Sequence, residues 1–87
     1  MRNLVFSDSA WSDYLYWQEQ DRKTLKRIND LIKAVQREPF AGIGKPEALR
    51  ASLSGCWSRR IDEKNRLVYE VTDADISIIS CRFHYEK

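Results

Sequence analysis

The first half of the chain carries the hydrophobic spacing of helices, after one short apolar segment. Residues 4–6 are predicted to form a strand, and the polar residues 7–9 that follow are favourable helix N-caps. The predicted first helix has apolar residues at helical spacing, at Trp11, Tyr14 and Leu15. A second helix is predicted between the capping residue Asp21 and Pro39, which cannot continue a helix. Its apolar face is the clearest periodic signal in the sequence and consists of Leu25, Ile28, Leu31, Ile32 and Val35.

The second half of the chain changes to the alternating spacing of strands. Residues 39–55 keep no sustained period and are predicted to form a packed loop, with one turn of helix at 46–50. Strands separated by short polar loops are predicted at 56–61, 67–71 and 76–83. The order β-α-α-β-β-β predicts an α+β domain, in which two helices pack on one face of an antiparallel sheet.

Length and composition exclude several classes of protein. The 87 residues suffice for one domain, 1–87, because two cores would leave about forty residues each. There is no secretory signal and no apolar run of the roughly 18 residues that cross a bilayer, so we expect a cytoplasmic protein without a membrane partner. Cys56 and Cys81 are therefore expected to be reduced thiols. One histidine, no CxxC pair and no glycine-rich phosphate loop predict that the chain uses no metal and no cofactor.

Basic residues are concentrated in two regions, although the net charge is only +2. Residues 22–37 hold six basic residues and one acidic residue, which gives the second helix a charge of +5. Residues 45–66 hold six basic and three acidic residues, a charge of +3. The helix can be a solvated polar surface or can contact a polyanion through Lys23, Lys26 and Arg27. The charge pattern leaves both interpretations open.

Alternation along the strands places arginines on the sheet face that the helices leave open. If Trp57 points toward the helices, Arg60 points away from them, and Arg66 shares that open face across the predicted hairpin. On the last strand, an inward Phe83 would bring His84 to the arginine face, near its edge. The pattern thus predicts a cluster of two arginines and one histidine on the open face.

A carboxylate, an imidazole and guanidinium groups on one concave face suit the metal-free cleavage of RNA. Glu47, in the loop, can supply the carboxylate. One group would remove the proton of a 2′-hydroxyl, another would protonate the departing 5′-oxygen, and arginines would stabilise the phosphorane. Simpler alternatives stay open from the residues alone: His84 as an ordinary surface residue, and the arginines in surface ion pairs with Glu70 or Asp62.

Several short segments, in register along the chain, resemble the YoeB family of bacterial toxins within the RelE superfamily. They are residues 11–18 (WSDYLYWQ), 44–49 (GKPEAL), 53–61 (LSGCWSRRI), 65–69 (NRLVY) and 81–85 (CRFHY). The resemblance runs from Asn3 to Tyr85 without an obvious gap. It implies a compact fold similar to that of microbial ribonucleases.

The resemblance also implies an activity and partners. Members of this family are ribosome-dependent endoribonucleases, which cut mRNA in the A site of the 30S subunit with the RNA 2′-hydroxyl as nucleophile and so inhibit translation. A YefM-type antitoxin neutralises them. We therefore expect an mRNA interferase whose partners are the ribosome, mRNA and such an antitoxin. A homodimer is compatible with the sequence.

Residue by residue, the resemblance assigns Glu47 as the general base and His84 as the general acid. Arg66 matches a phosphate-stabilising arginine, and Tyr85 matches an aromatic hydroxyl beside the scissile group. Basic residues near the RNA are matched by Lys45, Arg50 and Arg60. The chain departs from the family's usual end, because residues 86–87 extend past the His-Tyr pair.

Two other functions are compatible with the same fold. A gyrase-directed toxin of the ParE type is disfavoured, because Glu47, Arg66 and His84 all occur where a nuclease needs them. A non-catalytic module that binds RNA or the ribosome would use the basic helix and the arginine face. Such a module would need neither Glu47 nor His84.

Overall fold

The computed structural model describes residues 2–83. In chain order its elements are β1 (Asn3–Phe6), α1 (Asp8–Gln20), α2 (Arg22–Arg37), β2 (Glu47–Ala48), a short 3₁₀ helix (Ala51–Leu53), β3 (Cys56–Arg60), β4 (Arg66–Val71) and β5 (Asp75–Ser80). Both predicted helices and the predicted hairpin strands are present. No helix in this part of the chain is long and apolar enough to cross a membrane.

Polar side chains fix where each helix begins. The Ser7 hydroxyl accepts a hydrogen bond from the Ala10 N–H at 3.0 Å and caps α1. The carboxylate of Asp21 accepts the N–H groups of Lys23 and Thr24 at 3.1 and 3.3 Å and caps α2. These hydrogen bonds satisfy N–H groups that have no partner inside the helix. The two helices therefore meet at Asp21 with almost no connecting loop.

The sheet is mixed, with the strand order β1-β5-β4-β3-β2. The α+β class and the hairpin strands are confirmed, but the expectation of a wholly antiparallel sheet is wrong because β1 pairs with β5 in parallel. Parallel neighbours need a long crossover, and here α1, α2 and the rest of the sheet lie between the two strands along the chain. The helical turn expected at 46–50 is also wrong: β2 pairs there with β3 at the sheet edge.

The last strand ends earlier than its alternating pattern predicts. It stops at Ser80 rather than Phe83, and its register with β4 shifts between Val68 and Tyr69. Val68 pairs with Ser80, whereas Tyr69 pairs with Ile78, so β5 contains one extra residue there. Such a bulge reverses the alternation of all residues that follow it.

The hydrophobic core lies between the helices and one face of the sheet. From α2, the predicted apolar residues Ile28, Leu31, Ile32 and Val35 are buried. The sheet contributes Leu67, Tyr69, Ile76 and Ile78 to the same cluster. The opposite face of the sheet, which carries Ser58, Val68 and Arg66, is the face on which the candidate site lies.

Candidate active site

One row of cross-strand partners places Glu47 on the face away from the helices. Directly paired residues share a face, and the pairing runs from Glu47 to Ser58 and from Ser58 to Val68. The adjacent row points the other way, because it contains the core residues Tyr69 and Ile78. Glu47 therefore lies at the edge of the open face, with its side chain exposed.

The next row along the open face consists of Arg60 and Arg66, which are direct cross-strand partners. The prediction that they share this face is confirmed. Arg60 is exposed and Arg66 retains only 8% of its surface. Arg27 of α2 donates a hydrogen bond from Nη2 to the carbonyl of Arg60 at 3.0 Å, which brings a third guanidinium to the same end of the sheet. The three guanidinium groups make this end of the sheet positively charged. It lies two residues along β3 from Ser58, the residue that pairs with Glu47.

Arg66 is held by backbone carbonyls of the β3–β4 hairpin loop. Its Nη1 donates to the carbonyls of Asp62, Asn65 and Glu63 at 2.6, 3.1 and 3.3 Å. Among residues 2–83 no carboxylate forms an ion pair with Arg66 or Arg60, so the surface-bridge interpretation through Glu70 or Asp62 is wrong within this part of the chain. Carbonyls fix one nitrogen of Arg66, and the guanidinium keeps its full charge for an anion.

The approach to Glu47 depends on two residues with left-handed backbone conformations. Gly44 has φ 85°, and a Cβ on it would lie 2.8 Å from Leu31 Cδ2 of α2, so only glycine fits. Its carbonyl accepts the N–H of Arg60 at 2.7 Å. Lys45 follows with φ 53°. This turn lies tightly against α2 and directs the chain into β2, where Glu47 begins the edge strand.

The same loop rests on a buried arginine whose role the sequence did not reveal. Arg59 is fully buried on the helix side, and its guanidinium donates to three loop carbonyls: Nη2 to those of Glu38 and Ala41 at 2.6 and 2.9 Å, and Nη1 to that of Ile43 at 3.1 Å. Its Nε donates to the Tyr69 hydroxyl at 3.1 Å. Arg59 thus shapes residues 38–43, which lead to Glu47. The sequence feature that could have indicated this role is an arginine at a position of β3 that alternation turns toward the core.

The remaining predicted basic residues surround this edge. Lys45 and Arg50 flank β2 and are exposed. Lys23 and Lys26 are exposed on α2, and Lys26 pairs with Asp30 one turn later at 3.3 Å. That pair is worth only a few tenths of a kcal/mol at an exposed site, so Lys26 can exchange it for a phosphate. The predicted RNA-contacting residues therefore form two sets, one near β2 and one on α2. The hydrogen bond from Arg27 to the Arg60 carbonyl connects the two sets.

His84 and Tyr85 lie outside the described residues, and the chain leads toward them beside Arg66. The carbonyl of Phe83 accepts the N–H of Arg66 at 3.1 Å. The expectation that Phe83 faces inward is wrong: 63% of its surface is exposed, because β5 ends at Ser80 and the chain leaves the sheet before Phe83, whose backbone is left-handed at φ 64°. Within residues 2–83, no three His, Cys, Asp or Glu residues are grouped so that they could hold a metal ion.

Both cysteines are free thiols in environments that disfavour the thiolate. Burial, with a smaller contribution from the charge of Asp13, raises the pKa of Cys81 to about 12. Burial and the charge of Glu70 raise the pKa of Cys56 in the same direction. The thiolate is the reactive form, so Cys81 should be inert in the folded protein.

We expect iodoacetamide at pH 8 to modify the folded protein at Cys56 alone, and slowly, because at a pKa of about 12 only about 10⁻⁴ of Cys81 is thiolate. In denaturant both thiols should react. Mass spectrometry of intact protein measures this, with Cys56→Ser as the control that should take up no label when folded. Native labelling of Cys81 as fast as of Cys56 would contradict the described burial.

Comparisons with known proteins agree with the fold and with the sequence segments. A family model described as a YoeB-like toxin of bacterial type II toxin–antitoxin systems matches residues 6–85. Toxin YoeB of Synechocystis is 60% identical over 97% of this chain and 98% of its own. A YoeB/ParE toxin from Agrobacterium tumefaciens superposes with a TM-score of 0.93 at 47% identity, covering 95% of this chain and 99% of its own.

Structures of a Staphylococcus aureus relative add two assemblies. A YoeB dimer superposes with a TM-score of 0.89 at 48% identity, over 97% of this chain and 98% of its own. YoeB in a heterotetrameric YoeB–YefM complex superposes with a TM-score of 0.88 at 48% identity, over 98% of this chain and 99% of its own. These comparisons place the chain among the toxins of bacterial type II toxin–antitoxin systems, and within them it belongs to the YoeB-like family. The resemblance of the sequence segments is confirmed.

Proposed function

We propose that this toxin is a metal-independent endoribonuclease that cleaves mRNA in the ribosomal A site and so inhibits translation. The observation that carries the proposal is the open face of the sheet. On this face, the row of paired residues that contains Glu47 and Ser58 is next to the row that contains Arg60 and Arg66. This arrangement supports the proposal because an exposed carboxylate and a largely buried guanidinium lie on the same face of the sheet. In the sequence, His84 directly follows Phe83, whose carbonyl accepts the backbone N–H of Arg66.

In the proposed reaction the RNA supplies its own nucleophile. Glu47 takes the proton of the 2′-hydroxyl, and the 2′-oxygen attacks the adjacent phosphorus. The bond from phosphorus to the 5′-oxygen breaks, and His84 gives its proton to that oxygen. Arg66 stabilises the additional negative charge of the phosphorane. The products are a 2′,3′-cyclic phosphate and a 5′-hydroxyl, with Tyr85 assigned beside the scissile group by the family resemblance.

The proposed partners follow from charge and from the relatives. The basic residues of α2, among them Lys23, Lys26 and Arg27, suit contact with ribosomal RNA, and Lys45, Arg50 and Arg60 suit the mRNA. A YefM-type antitoxin with an acidic, partly disordered segment would neutralise the toxin, as YefM accompanies YoeB in the S. aureus complex. A homodimer is proposed on the example of the S. aureus dimer.

We expect Glu47→Gln and His84→Gln each to lower the single-turnover cleavage of ribosome-bound mRNA by roughly 10²-fold or more, the usual contribution of a general base or acid. Glu70→Gln is the matched control for Glu47, because Glu70 is an exposed carboxylate on the same open face, paired with Cys56. It should cleave at the wild-type rate. Product ends are mapped by primer extension and tested for the cyclic phosphate.

The outcomes separate the proposal from its alternatives. A gyrase-directed toxin would inhibit DNA supercoiling and leave mRNA intact. A non-catalytic binding module would stop translation without new mRNA ends, and Glu47→Gln would leave it fully active. Near wild-type cleavage by Glu47→Gln or His84→Gln would remove that residue from the mechanism.

A further inference from the structure

Helix α1 fixes the chain that follows β5 through the backbone groups of Cys81. The Cys81 N–H donates to Asp13 Oδ2 at 3.0 Å, and its carbonyl accepts the indole N–H of Trp17 at 2.8 Å. The guanidinium of Arg82 then lies over the ring of Tyr16, 3.4 Å from its centroid. The chain therefore leaves the sheet in a defined direction, two residues before the end of the described structure.

The β3–β4 hairpin holds the next residue from the other side. The N–H of Phe83 donates to Asn65 Oδ1 at 2.6 Å, and its carbonyl accepts the N–H of Arg66 at 3.1 Å. Phe83 has φ 64°, a left-handed conformation that is unfavourable for a non-glycine residue. Its ring is 63% exposed, so core packing does not impose this conformation. The two hydrogen bonds do.

The amide of Asn65 is itself oriented by Asp62. Its Nδ2 donates to both carboxylate oxygens of Asp62 at 3.1 Å, and Asp62 Oδ1 also accepts the backbone N–H groups of Lys64 and Asn65 at 2.8 and 2.7 Å. Burial raises the pKa of Asp62, but these hydrogen bonds and the charge of Arg66 outweigh it and lower the pKa overall. An ionised carboxylate can accept hydrogen bonds but cannot donate them. Asp62 therefore turns the Asn65 Nδ2 toward itself, which leaves the Asn65 Oδ1 facing the Phe83 N–H.

We propose that Asn65 is a positioning residue that fixes the backbone from which His84 follows. This inference rests on the proposed function, in which His84 is the general acid. The peptide group that joins Phe83 to His84 carries the carbonyl bound by Arg66, and Asn65 holds the other end of Phe83. Without Asn65, Phe83 relaxes from its left-handed conformation, and its carbonyl, after which the chain continues to His84, loses its fixed direction. A displacement of about 1 Å at an acid can cost about 10²-fold in rate.

The first test is spectroscopic and needs no RNA. His84 is the only histidine of the chain, so its imidazole gives a single pair of ¹H–¹³C signals. In Asn65→Ala we expect these signals to shift, and the Phe83 amide to exchange with solvent at least 10-fold faster. The matched control is Asn3→Ala, which removes a comparable exposed hydrogen bond, to Asp75, at the opposite edge of the sheet.

The second test measures cleavage. Asn65→Ala should lower the single-turnover rate on ribosome-bound mRNA by about 10- to 100-fold without changing the half-saturating concentration. In a His84→Gln background the same change should have no further effect, because Asn65 acts through His84. The exchange Asp62→Asn with Asn65→Asp should restore most of the rate, since a carboxylate at 65 still accepts the Phe83 N–H and an amide at 62 still donates to it. Asn65→Asp alone places a second carboxylate against that of Asp62, and the two repel each other. The cleavage rate of this variant should therefore stay low.

The outcomes distinguish this inference from the proposed function. Unchanged His84 signals and an unchanged Phe83 exchange rate in Asn65→Ala overturn the positioning role, whatever the cleavage rates. An equal loss of rate from Asn65→Ala with and without His84 also overturns it, since Asn65 would then act elsewhere. A wild-type rate for His84→Gln overturns the catalytic assignment of His84, while the spectra still decide whether Asn65 positions it.

Discussion

Replacement of Arg59 by methionine is expected to lower the free energy of unfolding by about 3–5 kcal/mol, the range for breaking a buried charged network. Methionine fills much of the same space but leaves the carbonyls of residues 38–43 and the Tyr69 hydroxyl without their donors. Small domains are stable by only about 5–15 kcal/mol, so the variant should approach the limit of folding. Urea denaturation followed by tryptophan fluorescence measures the loss.

The neighbouring arginine provides the control. Arg60→Met changes the next residue of β3, which points to the open face and is exposed, so stability should change by no more than about 0.5 kcal/mol. Arg59→Lys should be intermediate, because one ammonium cannot reach three carbonyls and a hydroxyl in the planar arrangement of a guanidinium. Equal losses in Arg59→Met and Arg60→Met would show that the buried network contributes nothing specific.

The sequence predicted those features of the fold that depend on local periodicity. The five apolar positions of α2 are three or four residues apart, and four of them are buried in the core. Alternation in β3 and β4 placed Arg60 opposite Arg66, since the register of a short hairpin follows from its loop. The parallel pairing of β1 with β5 was missed because residues about seventy positions apart leave no local signal of their contact.

The candidate site was predicted only in part, for two physical reasons. Residues 39–55 have no period, so Glu47 could be named by chemistry but not placed on the edge strand that pairs it with Ser58. The last strand stops at Ser80, so the alternation expected to turn Phe83 inward does not extend to it, and Phe83 is exposed. Arg59 is two residues from Trp57 and so shares its face of the strand, but its role depends on loop carbonyls that only the folded chain brings together.

Ribosome-bound mRNA is expected to be cleaved several orders of magnitude faster than the same RNA free in solution. The protein provides Glu47 on an exposed edge strand and a guanidinium, on Arg66, that is already oriented by carbonyls. Neither residue can align the 2′-oxygen with the bond that breaks, because that geometry belongs to the RNA chain. A flexible RNA seldom adopts it, and a site that imposes it can contribute up to about 7–11 kcal/mol.

The measurement compares single-turnover rates on the two substrates at saturating enzyme, so that differences in binding do not contribute. Glu47→Gln serves as the control on both substrates, since it removes the base and leaves the alignment of the RNA unchanged. In the wild type the ribosome should raise the rate at the reacting bond by several orders of magnitude, and Glu47→Gln should lower the ribosome-bound rate by roughly 10²-fold or more while keeping the gain that alignment provides. Similar wild-type rates on free and ribosome-bound RNA would mean that the open face aligns the substrate by itself, and the protein would then be a general ribonuclease.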